Sequence, residues 1–382
     1  MVTGIIMNET ASKNIMEEIN RVVIKIGSAL LVDEKSGKIR SDWLSSVAED
    51  VAKLKKEGKD VILVSSGSIA LGRKILGLNM AKKLVENQAA AAIGQIELAS
   101  TFREKLAKHD IAVAQVLLTY SNTENRDQYL NARGTINRLL KLGVVPVINE
   151  NDTVATDEVR FGDNDRLAAR VSSMCSADLL FLLSDIDGLF SKDPRANKDA
   201  KFIPVVEKIT PEIEDMAGEP ISTGFGSGGM ITKIAAAQIA MTGGCHMVIS
   251  NGTLMNPITE YLSTKKGTWF NASTTPMVAK KKWIAGALSP VGNLIIDDGA
   301  EKALRNGKSL LPAGVVKVEG EFVRGDTVKI LNQSGQEIAR GLMAYTSEDA
   351  EKILGSKSSE IENILGYGGR EELIHRSDMV MS

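Results

Sequence analysis

From Arg21 to about Ile249 the chain alternates short β-rich runs with longer stretches of helical periodicity. The strand candidates are Val22–Ile26, Val61–Val64, Ala112–Leu117, Val144–Ile148, Leu179–Leu183 and Met247–Ile249. Several are apolar without interruption, as expected of parallel strands covered on both faces. Between them Ser41–Glu57, Asn87–Lys108, Asp127–Leu142 and Gly229–Thr242 carry helical spacing, and Gly58, Gly143 and Gly243 stand at helix C-terminal stops. This alternation predicts an open α/β/α sandwich.

The texture changes after about Phe270. Asn271–Lys282 is small, polar and basic and reads as a linker. Beyond it lie short β-like runs, Asn293–Ile296, Val315–Glu319, Thr327–Leu331 and Glu337–Met343, separated by Gly-containing turns and followed by a helical segment at Glu348–Leu354. The expected organisation is an N-terminal extension over 1–20, an α/β domain over 21–271, a linker over 272–290 and a small β-rich domain over 291–382.

Charge and composition narrow the function classes. The 382 residues are 43% hydrophobic and 25% charged, with 46 Lys and Arg against 48 Asp and Glu. No overall field draws such a chain to nucleic acid or an anionic membrane. From Gly286 onward there are eleven basic and fifteen acidic residues, net −4, which leaves the preceding part at net +2. Two cysteines, Cys175 and Cys245, cannot make a disulfide framework and suggest a reducing compartment. Three histidines are too few for a histidine-rich metal centre. No run of 18 apolar residues exists, and the first twenty residues lack the continuous apolar core of a signal peptide. A cytoplasmic, soluble, multidomain protein is expected.

In an open α/β sheet, ligands bind beyond the carboxyl ends of the strands, where loops open into helix N-termini. Polar and glycine-rich clusters stand at those places here. Lys25-Ile26-Gly27-Ser28 offers a point charge beside backbone N–H groups, or a strand-end lysine reaching solvent. Ser65-Ser66-Gly67-Ser68 is an anion cradle or a plain helix cap. Asn149-Glu150-Asn151-Asp152 and Gly162-Asp163-Asn164-Asp165 exceed what turns usually need and suit a substrate ammonium, although Asx-turns and a helix cap from Asp165 could account for about half of them; they lack the loop spacing of a calcium site. Ser184-Asp185-Ile186-Asp187-Gly188 could meet a nucleotide base or ribose, or form a turn. Gly224-Phe225-Gly226-Ser227-Gly228-Gly229 leads into Met230-Ile231-Thr232-Lys233. It contains G-x-G-x-x-G, but no strand precedes it, and no glycine directly precedes the lysine, so neither a dinucleotide fingerprint nor a P-loop fits. What remains is a glycine-rich loop opening a helix, with a lysine in its first turns; its backbone N–H groups could approach phosphate oxygens closely, or it is a merely flexible loop.

Together these segments resemble the amino acid kinase family, in its branch that phosphorylates glutamate. The match rests on Val22–Ser28, Ser65–Ala70, Pro146–Asp152, Gly162–Asp165, Asp187–Phe190 with Asp193-Pro194-Arg195, and Ser227–Lys233. The tail resembles a PUA domain, through Ser309–Val315 and Ile364–Tyr367. Ser184 and Ser227 stand where the family often has threonine, which retains the hydroxyl.

The resemblance implies transfer of the ATP γ-phosphoryl group to the side-chain carboxylate of L-glutamate, the first step of proline biosynthesis, with Mg²⁺ arriving on ATP. Such an acceptor is already ionised at neutral pH, its ordinary pKa being about 4.3, so no general base is needed. By resemblance Lys25 and Lys233 stabilise the transferring phosphoryl group and Asp165 organises them. Ser66, Asp152, Asp163 and Asn164 would hold glutamate. Lys25, Ser184, Asp185 and the run Ser227, Gly228, Gly229, Met230, Ile231, Thr232 and Lys233 would hold the nucleotide. A homo-oligomer, feedback inhibition by proline and transient contact with the reductase that consumes the acyl phosphate are further implications. PUA-like domains often bind RNA, but the acidic tail argues against that here.

Overall fold

In the computed structural model the described residues are 16–33, 35–78, 83–155, 164–218, 229–285 and 290–382. The chain forms two compact units, Met1–Glu124 with Asn131–Pro276, and Asn125–Leu130 with Met277–Ser382.

The larger unit is built on an eight-stranded sheet. Its strands are β1 (Arg21–Ile26), β2 (Asp60–Ser65), β3 (Val113–Leu118), β4 (Val145–Glu150), β5 (Leu179–Ser184), β6 (Val205–Val206), β7 (His246–Asn251) and β8 (Gly267–Phe270). They lie in the order β3-β4-β2-β1-β5-β7-β8-β6. β1 pairs in parallel with β2 and β5, setting Lys25 opposite Val64 and Leu182. The first six strands in this order are parallel neighbours, and β8 turns antiparallel to β7. The helices used below are α1 (Ser41–Lys56), α2 (Ser68–Leu76), α3 (Leu84–Ala107), α4 (Arg126–Lys141), α5 (Asn164–Met174), α6 (Met230–Thr242), α7 (Pro257–Thr264) and α8 (Pro276–Ala285).

Strand alternation decides which layer each side chain enters. Ile24, Ile26, Leu63, Val147 and Phe181 share one core with Leu44 and Val51 of α1 and with Leu98 and Phe102 of α3. Lys25 alternates with them and therefore points to the opposite layer, where α5 packs on β1 and α6 on β7.

Two strands go beyond the six read in the sequence. β6 has only two residues, and β8 begins with glycine and shows no alternation, so neither carries a periodic signal. Within the stretch read as a linker, Pro276–Ala285 is helical. Proline at a first helical position leaves no unpaired N–H and presets φ, which favours this start.

The smaller unit holds a second sheet of β9 (Gly292–Ile296), β10 (Val315–Glu319), β11 (Thr327–Leu331), β12 (Glu337–Leu342) and β13 (Met379–Met381), ordered β10-β9-β11-β12-β13. Leu294 and Ile296 of β9 and Val328 and Ile330 of β11 face a common core with Ile353, Leu373 and Ile374.

Candidate active site

The strand order reverses around β1, and the carboxyl ends of β1, β2, β4 and β5 converge there, as at the ligand crevice of other open sheets. Lys25, one residue before the end of β1, is 7% exposed. Gly27 follows, and the Lys25 Nζ lies 3.5 Å from where a Gly27 Cβ would stand. The ammonium thus lies over the chain that leaves β1, rather than reaching solvent. From the same layer Asp165 enters in the first turn of α5, and Thr232 and Lys233 in the first turn of α6.

Asp165 joins both lysines. Its Oδ1 is 2.6 Å from Lys25 Nζ and its Oδ2 is 3.1 Å from Lys233 Nζ. Thr232 Oγ1 donates to Oδ2 at 2.9 Å. Burial alone would raise this carboxyl, which is 1% exposed, but the Lys25 and Lys233 charges and the Thr232 hydroxyl override it and hold it far below the usual carboxylate range. One carboxylate between two ammonium groups leaves a local excess of one positive charge.

Across the β1–β2 junction lies a second polar network. The chain leaving β2 is tied to β1 by Ser66 N donating to Ile26 O at 3.1 Å. Gly67 has φ +111°, a conformation a side chain would strain, and it turns the chain into α2. Ser68, the first residue of α2, donates its hydroxyl to Asp152 Oδ2 at 3.0 Å. Asn164 Nδ2 donates to Ser65 O at 2.8 Å, Ser66 Oγ at 2.7 Å and Asn149 Oδ1 at 2.9 Å. Asn164 Oδ1 is buried without a hydrogen-bond partner among the described residues. Burial, only partly offset by the Ser68 hydrogen bond, raises the Asp152 pKa to about 6.

Of the residues singled out in the sequence, Lys25, Asp165 and Lys233 are therefore together, and Ser66, Asp152 and Asn164 stand in the adjoining network. Gly229 caps α6, and Met230 and Ile231 open it ahead of Thr232. Ser184 is buried at the end of β5, its hydroxyl 3.3 Å from the Asp185 carboxylate, and Asp185 is exposed, 3.7 Å from Arg195 Nη1. Asp163, Ser227 and Gly228 fall outside the described residues. Ser68, Asn149 and Gln95 were not singled out individually, yet all three are buried in the second network. Ser68 and Asn149 lie inside segments that the sequence did flag. Gln95 lies on the long helix α3, where the adjoining Gly94, a glycine inside a helix, is the one local signal of an unusual contact.

The amino acid kinase family model matches residues 20–251 and the PUA domain model matches residues 292–365. The chain is 57% identical over 364 residues to the glutamate 5-kinase of Agrobacterium fabrum, covering 95% of this chain and 93% of that protein. It is 55% identical to the glutamate 5-kinase of Paramagnetospirillum magneticum, over 94% of this chain and 97% of that protein. For the glutamate 5-kinase of a Ruegeria species the figures are 56%, 94% and 98%. With the parallel sheet and its two-lysine crevice on one side and these matches on the other, the chain belongs to the amino acid kinase family, within its glutamate 5-kinase branch, and carries a C-terminal PUA domain.

Proposed function

We propose that this protein transfers the γ-phosphoryl group of ATP to the side-chain carboxylate of L-glutamate, giving L-glutamyl 5-phosphate for proline biosynthesis. The observation that carries the chemistry is the Lys25–Asp165–Lys233 array, a buried and preorganised positive centre at the mouth of the sheet. The acceptor carboxylate is an anion at neutral pH and attacks without losing a proton, so the protein's task is to bring two anions together. Lys25 reaches the transferring group and Lys233 the nucleotide phosphates, while Asp165 keeps the two ammonium groups from repelling each other apart. Gly229, Met230, Ile231 and Thr232, with Ser227 and Gly228 before them, line the phosphates at the start of α6, and Ser184 and Asp185 face the rest of the nucleotide. Magnesium enters as part of the ATP complex, held by phosphate oxygens and water.

Glutamate lies on the other side of the junction. Its α-ammonium meets Asp152 and Asn164 Oδ1, which has no hydrogen-bond partner among the described residues. Ser66 Oγ accepts from Asn164, which leaves its own proton to donate to a substrate carboxylate. Asp163 completes this side. Proline, which shares the ammonium and α-carboxylate of glutamate, would compete at the same groups and act as a feedback inhibitor. A homo-oligomer, passage of the labile acyl phosphate to its reductase by transient contact, and a cytoplasmic setting, supported by the free buried thiols of Cys175 and Cys245, complete the proposal.

The experiment is a trap of the acyl phosphate as hydroxamate in the presence of Mg-ATP. L-Glutamate should give product, and aspartate and N-acetylglutamate should not. Product from either of those two and none from glutamate would reassign the substrate.

A further inference from the structure

We infer that Gln95 is a positioning residue for the amino acid substrate: through Asn149 it fixes the orientation of the two groups, Asn164 and Asp152, that are proposed above to receive the α-ammonium. The inference rests on that placement of glutamate.

The argument begins with packing. β4 presents Val145 and Val147 to the core shared with Leu98 and Phe102 of α3. Continuing both periodicities toward the carboxyl edge brings Asn149 and Gln95 face to face. The apolar contact between strand and helix thus ends in an amide pair, both members buried at 2% and 8% exposure. What brings α3 close enough is a contact without side chains. A Cβ on Gly94 would stand 1.8 Å from Ser68 O, and one on Gly72 1.7 Å from Ala90 O. Helices α2 and α3 therefore touch backbone to backbone, and that contact sets Ser68 and Gln95 in one network.

The hydrogen bonds in that network run in one direction. Gln95 Oε1 accepts from Asn149 Nδ2 at 2.7 Å, and the same Nδ2 reaches Ser68 Oγ at 3.3 Å. Ser68, having accepted, donates to Asp152 Oδ2 at 3.0 Å. With its NH₂ so engaged, Asn149 presents Oδ1 to Asn164 Nδ2 at 2.9 Å and to Glu150 N at 2.9 Å. The Asn164 amide is thereby held with its NH₂ inward and its Oδ1 without a partner among the described residues. An amide flip at Asn149 would set NH₂ against NH₂ at Asn164 and withdraw the donor from Ser68. The Glu150 N–H, a donor that cannot rotate, sets the Asn149 oxygen toward Asn164. Gln95, whose own Nε2 is buried without a partner among the described residues, supplies the acceptor that holds the Asn149 NH₂ in place.

The test is a steady-state comparison of Gln95→Met, which keeps the length and shape of the side chain and removes the acceptor, with Gln95→Glu, which keeps an acceptor oxygen whether or not it is protonated. Gln95→Met should raise the KM for glutamate roughly tenfold or more. Its KM for ATP and its melting temperature should stay close to those of the parent protein. Gln95→Glu should restore the glutamate KM to within about threefold of the parent value. An unchanged glutamate KM in Gln95→Met would overturn the inference. So would an equal rise in both KM values, which marks a general disturbance, or a Gln95→Glu variant no better than Gln95→Met. Asp152→Asn, measured alongside, separates the two layers of the argument. If it raises the glutamate KM while Gln95→Met does not, the role of Gln95 alone falls; if neither does, the placement of glutamate falls with it.

Discussion

Asp165 and Asp152 stand thirteen positions apart and are both buried, at 1% and 7% exposure, yet the fold treats them in opposite ways. Asp165 meets two ammonium groups and a hydroxyl, and its proton is lost far below the usual range. Asp152 meets one hydroxyl and no cation in the described structure, and burial dominates, raising it to about 6. The difference separates two halves of one crevice. The half around Asp165 is over-neutralised and lacks only an anion, while the half around Asp152 holds a costly carboxylate and lacks only a cation. On the proposed function, ATP phosphates and an α-ammonium are the respective complements.

The sharpest way to break that comparison is to remove one lysine. Lys233→Ala should lower kcat by about 10²–10³, the usual consequence of losing a preorganised charge that acts mainly in the transition state. Its glutamate KM should change little, and circular dichroism should report an intact fold, since Lys25 still neutralises Asp165. Near-normal turnover would remove Lys233 from the reaction. The mirror experiment is Asp152→Asn. Hydrogen bonds to charged groups contribute about 1.5–3 kcal/mol, so this variant should raise the glutamate KM by roughly tenfold to a hundredfold while leaving the ATP KM alone. A variant that moved both constants equally would merge the two halves into one.

How far the sequence shows this division depends on the kind of signal each half carries. The lysine side is written in local order: Lys25 precedes Gly27 at a strand end, and Lys233 follows a glycine-rich stretch into a helix. Those spacings follow from backbone geometry, so the residues can be singled out before their contacts are known. The parallel strands are equally legible, because burial on both faces demands continuous apolar runs. Asp152 and Asn164 were visible as an excess of Asn and Asp, but not the polarity of their hydrogen bonds, which depends on Ser68, Asn149 and Gln95 meeting across three elements. A glutamine in an alanine-rich helix has no spacing of its own to betray it. Strands β6 and β8 escaped for a related reason, their pairing being set by neighbours rather than by their own periodicity.

The comparison also makes a pH prediction of smaller size. Below about pH 6 Asp152 in the free enzyme becomes neutral and loses its attraction for the α-ammonium. kcat/KM for glutamate should therefore fall by about tenfold per pH unit on the acid side, as for a single required carboxylate. The limb in kcat should lie lower, because the bound ammonium draws the Asp152 ionisation down. Asp165 does not titrate in this window, so the ATP KM should stay flat through it. Asp152→Asn should abolish the acid limb, and a limb surviving in that variant would assign it to another group.

The smallest effect expected is on stability, and its sign is the most telling. An acid whose pKa rises on folding, here from an ordinary value near 3.8 to about 6, binds its proton more tightly in the folded state. Folding is therefore weakened as pH rises through that interval, and above it the cost is constant, at most about 3 kcal/mol. Asp152→Asn keeps an oxygen for the Ser68 hydroxyl and removes the charge. Without substrate it should melt higher than the parent protein at pH 8, by about a few degrees, and the gap should close toward pH 4. Saturating glutamate should stabilise the parent protein and much less so the variant, reversing the order at pH 8. A carboxylate retained for structure would give the opposite result, a variant that melts lower at pH 8 with or without glutamate. The order of the melting curves thus distinguishes a residue kept for its ligand from one kept for the fold.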